Sequence, residues 1–223
     1  MSPLPVQMAS HWWQRPGRLP GRALYHWHIL FHDQPAVREL AAAAQRKLAG
    51  LPGLDLVPAR WLHLTTYIVG FADEVSDRSV DVMVQDASRR LSAVVPIPVT
   101  LGRVFYHPEA VVLAVEPLGA LGPVLDAVSA ATKVAGHDGH TDTQPWLPHI
   151  SVAYSNTAGP AEPIIAALGR WLPRTEVSVR SVSLVAQTQV ERSWQWRQLA
   201  EVLLAGSSSG NKGSGSGSNS GSV

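Results

Sequence analysis

Trp61-Leu62-His63-Leu64-Thr65-Thr66-Tyr67 and Leu147-Pro148-His149-Ile150-Ser151-Val152-Ala153 share one pattern: histidine, apolar residue, hydroxyl residue, set in a run of strand-forming side chains. Of the nine histidines, only His63 and His149 are followed in that way. Side chains at i and i+2 of a strand project to the same side, roughly 6.5 Å apart. His63 and Thr65 are therefore expected on one face, as are His149 and Ser151. Leu64 and Ile150 point the other way and anchor each strand in a core.

The surroundings of the two stretches also repeat. Tyr25 to Phe31 alternates as a strand, with Tyr25, Trp27, Ile29 and Phe31 on one face and His26, His28 and Leu30 on the other. Asp33 and Pro35 open a helix with Val37, Leu40, Ala41, Ala44 and Leu48 on its inner stripe, and Gly50 ends it. The His63 strand comes next, then a helix from about Ser76 carrying Val80, Met83, Val84, Ala87 and Leu91 at helical spacing. Strands near Ile97 to Tyr106 and Ala110 to Val115 meet at His107-Pro108. A helix with Leu121, Val124, Leu125 and Val128 inside then leads through a Gly139- and Pro145-containing loop to the His149 strand. A fourth helix, with Pro163 near its first turn, is expected to bury Ile164, Leu168 and Trp171, and strands Val177 to Ala186 and Ser193 to Leu203 to close the domain.

Strand, helix, loop and motif strand thus occur twice, which predicts duplicated lobes. Helices between alternating strands predict an α+β fold with antiparallel sheets. Three segments are expected: an N-terminal arm over 1–22, a two-lobed domain over 23–205, and a flexible Gly/Ser-rich tail over 206–223.

The chain has 223 residues and a formal net charge of +1, so no global basic field is present to hold a long nucleic acid. A small anion met by a few local arginines fits better. Absence of cysteine excludes disulfides, thiolate metal sites and a cysteine nucleophile. The N-terminus lacks the continuous apolar core of a signal peptide, and no apolar run is long enough to span a bilayer. A cytoplasmic protein without membrane contact is expected, monomeric by default and with no protein partner implied.

Two imidazoles and two hydroxyls converging on one cleft suit in-line displacement at phosphorus. A neutral histidine takes the proton of the attacking water and a protonated one supplies the leaving oxygen; an ordinary histidine pKa near 6.5 makes both forms available. The hydroxyls can bond the non-bridging oxygens. Neither cofactor nor metal is required.

These residues resemble the 2H phosphoesterases, a superfamily that includes the bacterial RNA 2′,3′-cyclic phosphodiesterases also known as 2′-5′ RNA ligases. The resemblance rests on His63-Leu64-Thr65 and His149-Ile150-Ser151, with Ile68-Val69-Gly70 closing the first motif and Pro148 preceding the second histidine. His11-Trp12-Trp13-Gln14-Arg15-Pro16-Gly17 and Trp27-His28 look like a bacterial branch. It covers about residues 10 to 205 and implies a bilobal, pseudo-symmetric LigT-like fold, two antiparallel sheets flanked by helices around a central cleft. It further implies His63, Thr65, His149 and Ser151 as the catalytic set, and RNA ends or nucleotides bearing a 2′,3′-cyclic phosphate or a 2′,5′ linkage as substrates. Thr66 stands where the family is usually apolar, and Tyr154 stands near a position where it often has arginine.

Further substrate-contact candidates are His28, Tyr67, Trp146 and Tyr154. His28 lies opposite Trp27 on its strand, with a histidine bonded across the sheet as the alternative. Tyr67 is expected on the His63 face and Trp146 on the loop before the second motif, either to stack on a base or to pack. Trp12, Trp13 and Arg15 are expected to clamp the arm, with the arginine over an indole. His137-Asp138-Gly139-His140 is read as a solvated loop or mobile lid. Two other functions stay open: a non-catalytic module that binds RNA ends, and a metallohydrolase built on His137, His140 and His26 or His28.

Overall fold

Two strand–helix–strand units, each ending in a histidine motif, organise the backbone. The computed structural model describes residues 4–143 and 145–206, so the expected tail beyond 206 lies outside the described residues. The first half contains β1 (Gln7–Met8), β2 (Leu24–Leu30), α1 (Pro35–Leu48), β3 (Leu54–Leu56), β4 (His63–Phe71) and α2 (Asp77–Leu91). Then come β5 (Ile97–His107), β6 (Ala110–Ala114), α3 (Gly122–Val134), β7 (His149–Ser155), β8 (Gly159–Pro160), α4 (Glu162–Leu168), β9 (Trp171–Val179), β10 (Ser181–Val190) and β11 (Ser193–Leu203).

Local chemistry explains the helices. Pro35 sits in the first turn of α1, where a missing N–H costs nothing, and Arg46 and Lys47 face the negative end of its dipole. Its buried stripe is Val37, Leu40, Ala41, Ala44 and Leu48. The Ser76 side chain caps α2 by accepting from the Ser79 amide. Met83, Ala87 and Leu91 of α2 are buried, and so is Asp86, which pairs with Arg89 and Arg90. Those two arginines, simplest to read from sequence as a solvated face, are thus counterions to a buried carboxylate.

The strands form two main antiparallel sheets, β11-β10-β2-β4 and β3-β7-β6-β5-β9, plus a short β1-β8 ribbon. Helices α2 and α3 pack with the first sheet and α1 with the second, and α4 packs on α1. Each unit pairs its opening strand with its motif strand, β2 with β4 and β6 with β7. The helix between them packs on the other lobe, however: α1 lies on β7 and β9, and α3 on β4. The expected duplication is therefore present as geometry, but neither lobe is one half of the chain. Among the described residues no helix is long and apolar enough to cross a membrane.

Two expectations at the C-terminal end are corrected. Helix α4 buries Ile164 and Leu168 but stops at Gly169 (φ 72°), so Trp171 falls in β9 and is 65% exposed. The run from Val177 to Ala186 is two strands, not one. It breaks at Arg180, leaving Val179 buried in the second sheet and Val182 and Leu184 buried in the first. The apolar alternation shifts phase there, because Arg180 and Ser181 are adjacent polar residues, and that slip is the local mark of the change of sheet.

One contact locks α1 to the motif strand of the second lobe. Gln45 Nε2 donates to Val57 O at 2.7 Å and to Val152 O at 3.0 Å. Gln45→Ala is expected to lower unfolding stability by about 1–2 kcal/mol, the cost of leaving those carbonyls short of a donor, measured by urea denaturation.

Candidate active site

Register decides which side chains meet. Along β4, His63 pairs with Leu30, Leu64 with Ile29 and Thr65 with His28; directly opposed residues share a face, so His63, Thr65 and His28 lie together. The ladder then slips by one residue at Thr66, and the next pair is Trp27 with Tyr67. An extra residue in one strand reverses the facing of the residues beyond it. Tyr67 is thereby turned onto the Trp27 face, away from His63, which corrects its expected placement. Its hydroxyl donates to Asp138 O.

A second bulge has the opposite effect. His149 pairs with Ala114 and Ser151 with Val112, then the register slips at Val152 and Tyr154 pairs with Ala110. Tyr154 joins the His149 and Ser151 face, and its phenol hydrogen-bonds the Ser151 side chain. Val152 O, displaced by the bulge, accepts from the Val57 amide as well as from Gln45.

The two motif imidazoles are held alike. His63 Nδ1 lies 2.9 Å from Trp61 O and His149 Nδ1 lies 2.7 Å from Leu147 O, in each case the carbonyl two residues back. A carbonyl only accepts, so each ring carries its proton on Nδ1 and leaves Nε2 unprotonated when neutral. His63 is buried and stacks on His28 at 4.3 Å, with Trp196 edge-on at 4.7 Å. Burial, reinforced by the nearby His149, pulls its pKa down to about 4 against the opposing pull of the Trp61 carbonyl. His149 is half-buried.

The structure thus gathers His63, Thr65 and His28 on one strand pair and His149, Ser151 and Tyr154 on the other. Trp146 links them, its indole N–H donating to Thr65 O at 3.2 Å. His28 has no exposed surface: it sits beneath His63, with Nε2 3.4 Å from Thr65 Oγ1, placed to orient rather than to touch a ligand.

Sequence reading gave no place in the site to Trp61, Trp196, Asp142 or His11. Trp61 and Trp196 meet at 4.8 Å beside His63, and Asp142 lies within electrostatic reach of His149. Alternation over Ser193 to Leu203 places Trp194 and Trp196 on one face, but only register against β10 and β2 shows that it is the His28 face. The 137–140 segment docks on the sheet through Tyr67 and through paired amides of His140 and Ile68. A Cβ on Gly139 (φ 55°) would strike the Tyr67 ring and Ile68 O. Among the described residues no group of three His, Asp or Glu side chains is arranged to hold a metal.

The arm closes one end of this arrangement. His11 stacks on Tyr154 at 4.2 Å, bonds Glu109 through Nδ1 at 3.2 Å and accepts the Trp194 indole N–H on Nε2 at 2.8 Å. Trp12 donates to Asp55 and Trp13 to Glu109, while Arg15 lies 4.8 Å over the Trp13 ring.

A family model described as the 2′-5′ RNA ligase superfamily matches residues 32–191. The chain belongs to that superfamily. Its 2H phosphoesterase pattern, read from two tripeptides, therefore marks true membership. Among solved structures the fold is similar to TT0787 of Thermus thermophilus, with TM-score 0.63 and 19% identity over 82% of this chain and 98% of that one. It is also similar to E. coli LigT complexed with 3′-AMP, with TM-score 0.60 and 18% identity over 82% and 98%. The MHV ns2 PDE domain aligns at TM-score 0.52 and 11% identity over 80% and 99%. No curated protein matches.

Burial also holds His11 and His26 down to about 3 and His28 well below the ordinary value. These imidazoles and His63 take up protons near pH 6.5 in the unfolded chain but far lower in the folded one, so the fold favours their neutral forms. Stability is expected to be full above pH 6.5 and to fall as pH drops from there toward 4 and 3. The window between pH 6.5 and 5, above most carboxylate titration, isolates the effect: melting temperature should fall across it, and a flat curve would oppose the assignment.

Proposed function

We propose that this member of the 2′-5′ RNA ligase superfamily is a metal-independent phosphodiesterase that opens the 2′,3′-cyclic phosphate of RNA ends or nucleotides, leaving a 2′-phosphate. The observation that carries the proposal is the matched pair of imidazoles, each with Nδ1–H on a carbonyl and Nε2 left for proton transfer, each two residues before a hydroxyl. A site that only binds has no use for two proton carriers held in the same tautomer.

The buried His63, neutral at physiological pH, is the base. Its Nε2 takes a proton from water as the water oxygen attacks phosphorus opposite the 3′ oxygen. The P–O3′ bond breaks and its electron pair accepts the proton of His149, the more exposed ring, in line with the two roles that one titrating side-chain type can fill. The products are a 2′-phosphate and a free 3′-hydroxyl. Thr65 and Ser151 donate to the non-bridging oxygens as negative charge develops there. Tyr154, bonded to Ser151, fixes that hydroxyl, and Trp146 holds the two motifs in register.

The nucleotide class of substrate is supported by relatives: LigT has been solved with 3′-AMP, with ATP and with NADP+. Ligation of 2′-5′ ends would be the related reverse chemistry and is secondary here. We place the activity in the cytoplasm, in a monomer.

His63→Ala and His149→Ala should each cut kcat for a nucleoside 2′,3′-cyclic phosphate by about 10²- to 10⁴-fold, with chelator present throughout. Turnover that survives both substitutions sinks the mechanism, loss of native turnover on chelation supports a metallohydrolase, and tight binding without turnover supports a binding module. The native rate should rise with pH as His63 deprotonates near 4; a rate that stays flat from about pH 3.5 to about pH 6 would count against His63 as the base.

A further inference from the structure

The residues before β2 lie outside the 32–191 span of the superfamily match, yet they reach the candidate site. They are fixed by backbone bonds from Ala9 to Pro108 and from His11 to Ser155, and farther on Gly17 packs closely on Phe71. Three arginines ride on this segment. Arg15 is paired with Glu109, and Arg22 with Asp73 and Glu74. Arg18 differs: among the described residues its guanidinium has neither a carboxylate nor a hydrogen-bond acceptor, although the residue is half-buried. It rests on the Trp194 ring at 4.7 Å.

That ring belongs to the site. Trp194 pairs with Gln189 and Trp196 with Gln187 in β10, which puts both indoles on the His28 side of the first sheet, and Trp194 lines the same pocket as His63 and Tyr154. Arg18 also acts electrostatically on His26. From His26 the ring-to-ring steps are 5.1 Å to His28 and 4.3 Å to His63. A row of imidazoles therefore runs from beside Arg18 to the reacting histidine.

A cation taken partly out of water without a counterion is costly unless something supplies the charge. Burial and the nearby Arg15 bring the Arg18 pKa down to about 10, so it is still charged at neutral pH. A planar guanidinium steadied on an indole is well suited to grip a phosphate. We propose that Arg18 anchors a second phosphate of the substrate, one nucleotide position away from the cyclic phosphate at His63 and His149. The arm thereby makes the site selective for 5′-phosphorylated or chain-linked ends over bare nucleosides. This rests on the cyclic phosphodiesterase proposal for the identity of the substrate.

Two measurements keep the two proposals apart. In kinetics, a nucleoside 2′,3′-cyclic phosphate is compared with the same compound bearing a 5′-phosphate. In calorimetry, which needs no turnover, a nucleoside 3′-monophosphate is compared with the 3′,5′-bisphosphate. The native chain should favour the extra phosphate by about tenfold in KM and in Kd, the scale of one charge-assisted contact. Arg18→Gln and Arg18→Met should bring both ratios close to one, whereas Arg18→Lys should retain part of the preference. A native chain that shows no preference in calorimetry, or a preference that persists in Arg18→Gln, overturns the proposal. So does a lower melting temperature in Arg18→Gln with an unchanged ligand ratio, which would make Arg18 a clamp for the arm. Failure of native turnover alone would remove the phosphodiesterase activity while calorimetry still decides Arg18.

Discussion

Everything at the centre of this molecule depends on two short hydrogen bonds from imidazole Nδ1 to the carbonyl two residues back, His63 to Trp61 and His149 to Leu147. They fix ring orientation and tautomer with the strand's own backbone. The rest of the fold holds those strands so that the two rings lie within electrostatic reach of each other. Antiparallel pairing of β2 with β4 and of β6 with β7 supplies the frame, and the bulges at Thr66 and Val152 trim it. The frame is also asymmetric where chemistry needs asymmetry. His63 is enclosed by His28 and Trp196, and burial lowers its pKa, while His149 keeps partial exposure.

Much of this was legible in the sequence because period-two alternation is a strong local signal. It placed His63 with Thr65 and His149 with Ser151, and it put Trp27 and His28 on opposite faces. It failed wherever a single backbone residue changes the count. Nothing in Thr65-Thr66-Tyr67 announces a bulge, so Tyr67 was expected beside His63 when it lies across the sheet. The same local reading carried Trp171 into a helix that ends at Gly169, and it passed over the adjacent polar pair Arg180-Ser181, where the alternation shifts phase and the chain changes sheet. Trp196 reaches His63 only through three strand pairings, a relation that no local window contains.

The arm illustrates a different limit. Its tryptophans and arginines read as a clamp, and Trp12, Trp13 and Arg15 do hold it to the β3 and β5–β6 regions. What composition could not show is that the clamp carries cargo. His11 covers Tyr154, whose hydroxyl reaches Ser151, so the arm bears on the second motif through one stacked ring. Buried neutral histidines and the Arg18 guanidinium resting on the Trp194 ring form a region whose electrostatics only the assembled fold reveals.

The interleaving of the sheets has a consequence for how this protein comes to exist. Strand β2 has β4 on one side and β10 on the other, and β10 begins only at Ser181, late in the chain. Pairings of such large sequence separation are slow, because loop closure must precede any gain from contact. On a ribosome the first motif therefore spends most of synthesis on a half-built sheet, with β2 presenting an open hydrogen-bonding edge. Strand β10 seals that edge, and β11, paired to β10, brings Trp196 against His63. Closure of the first sheet and completion of the site are then one event.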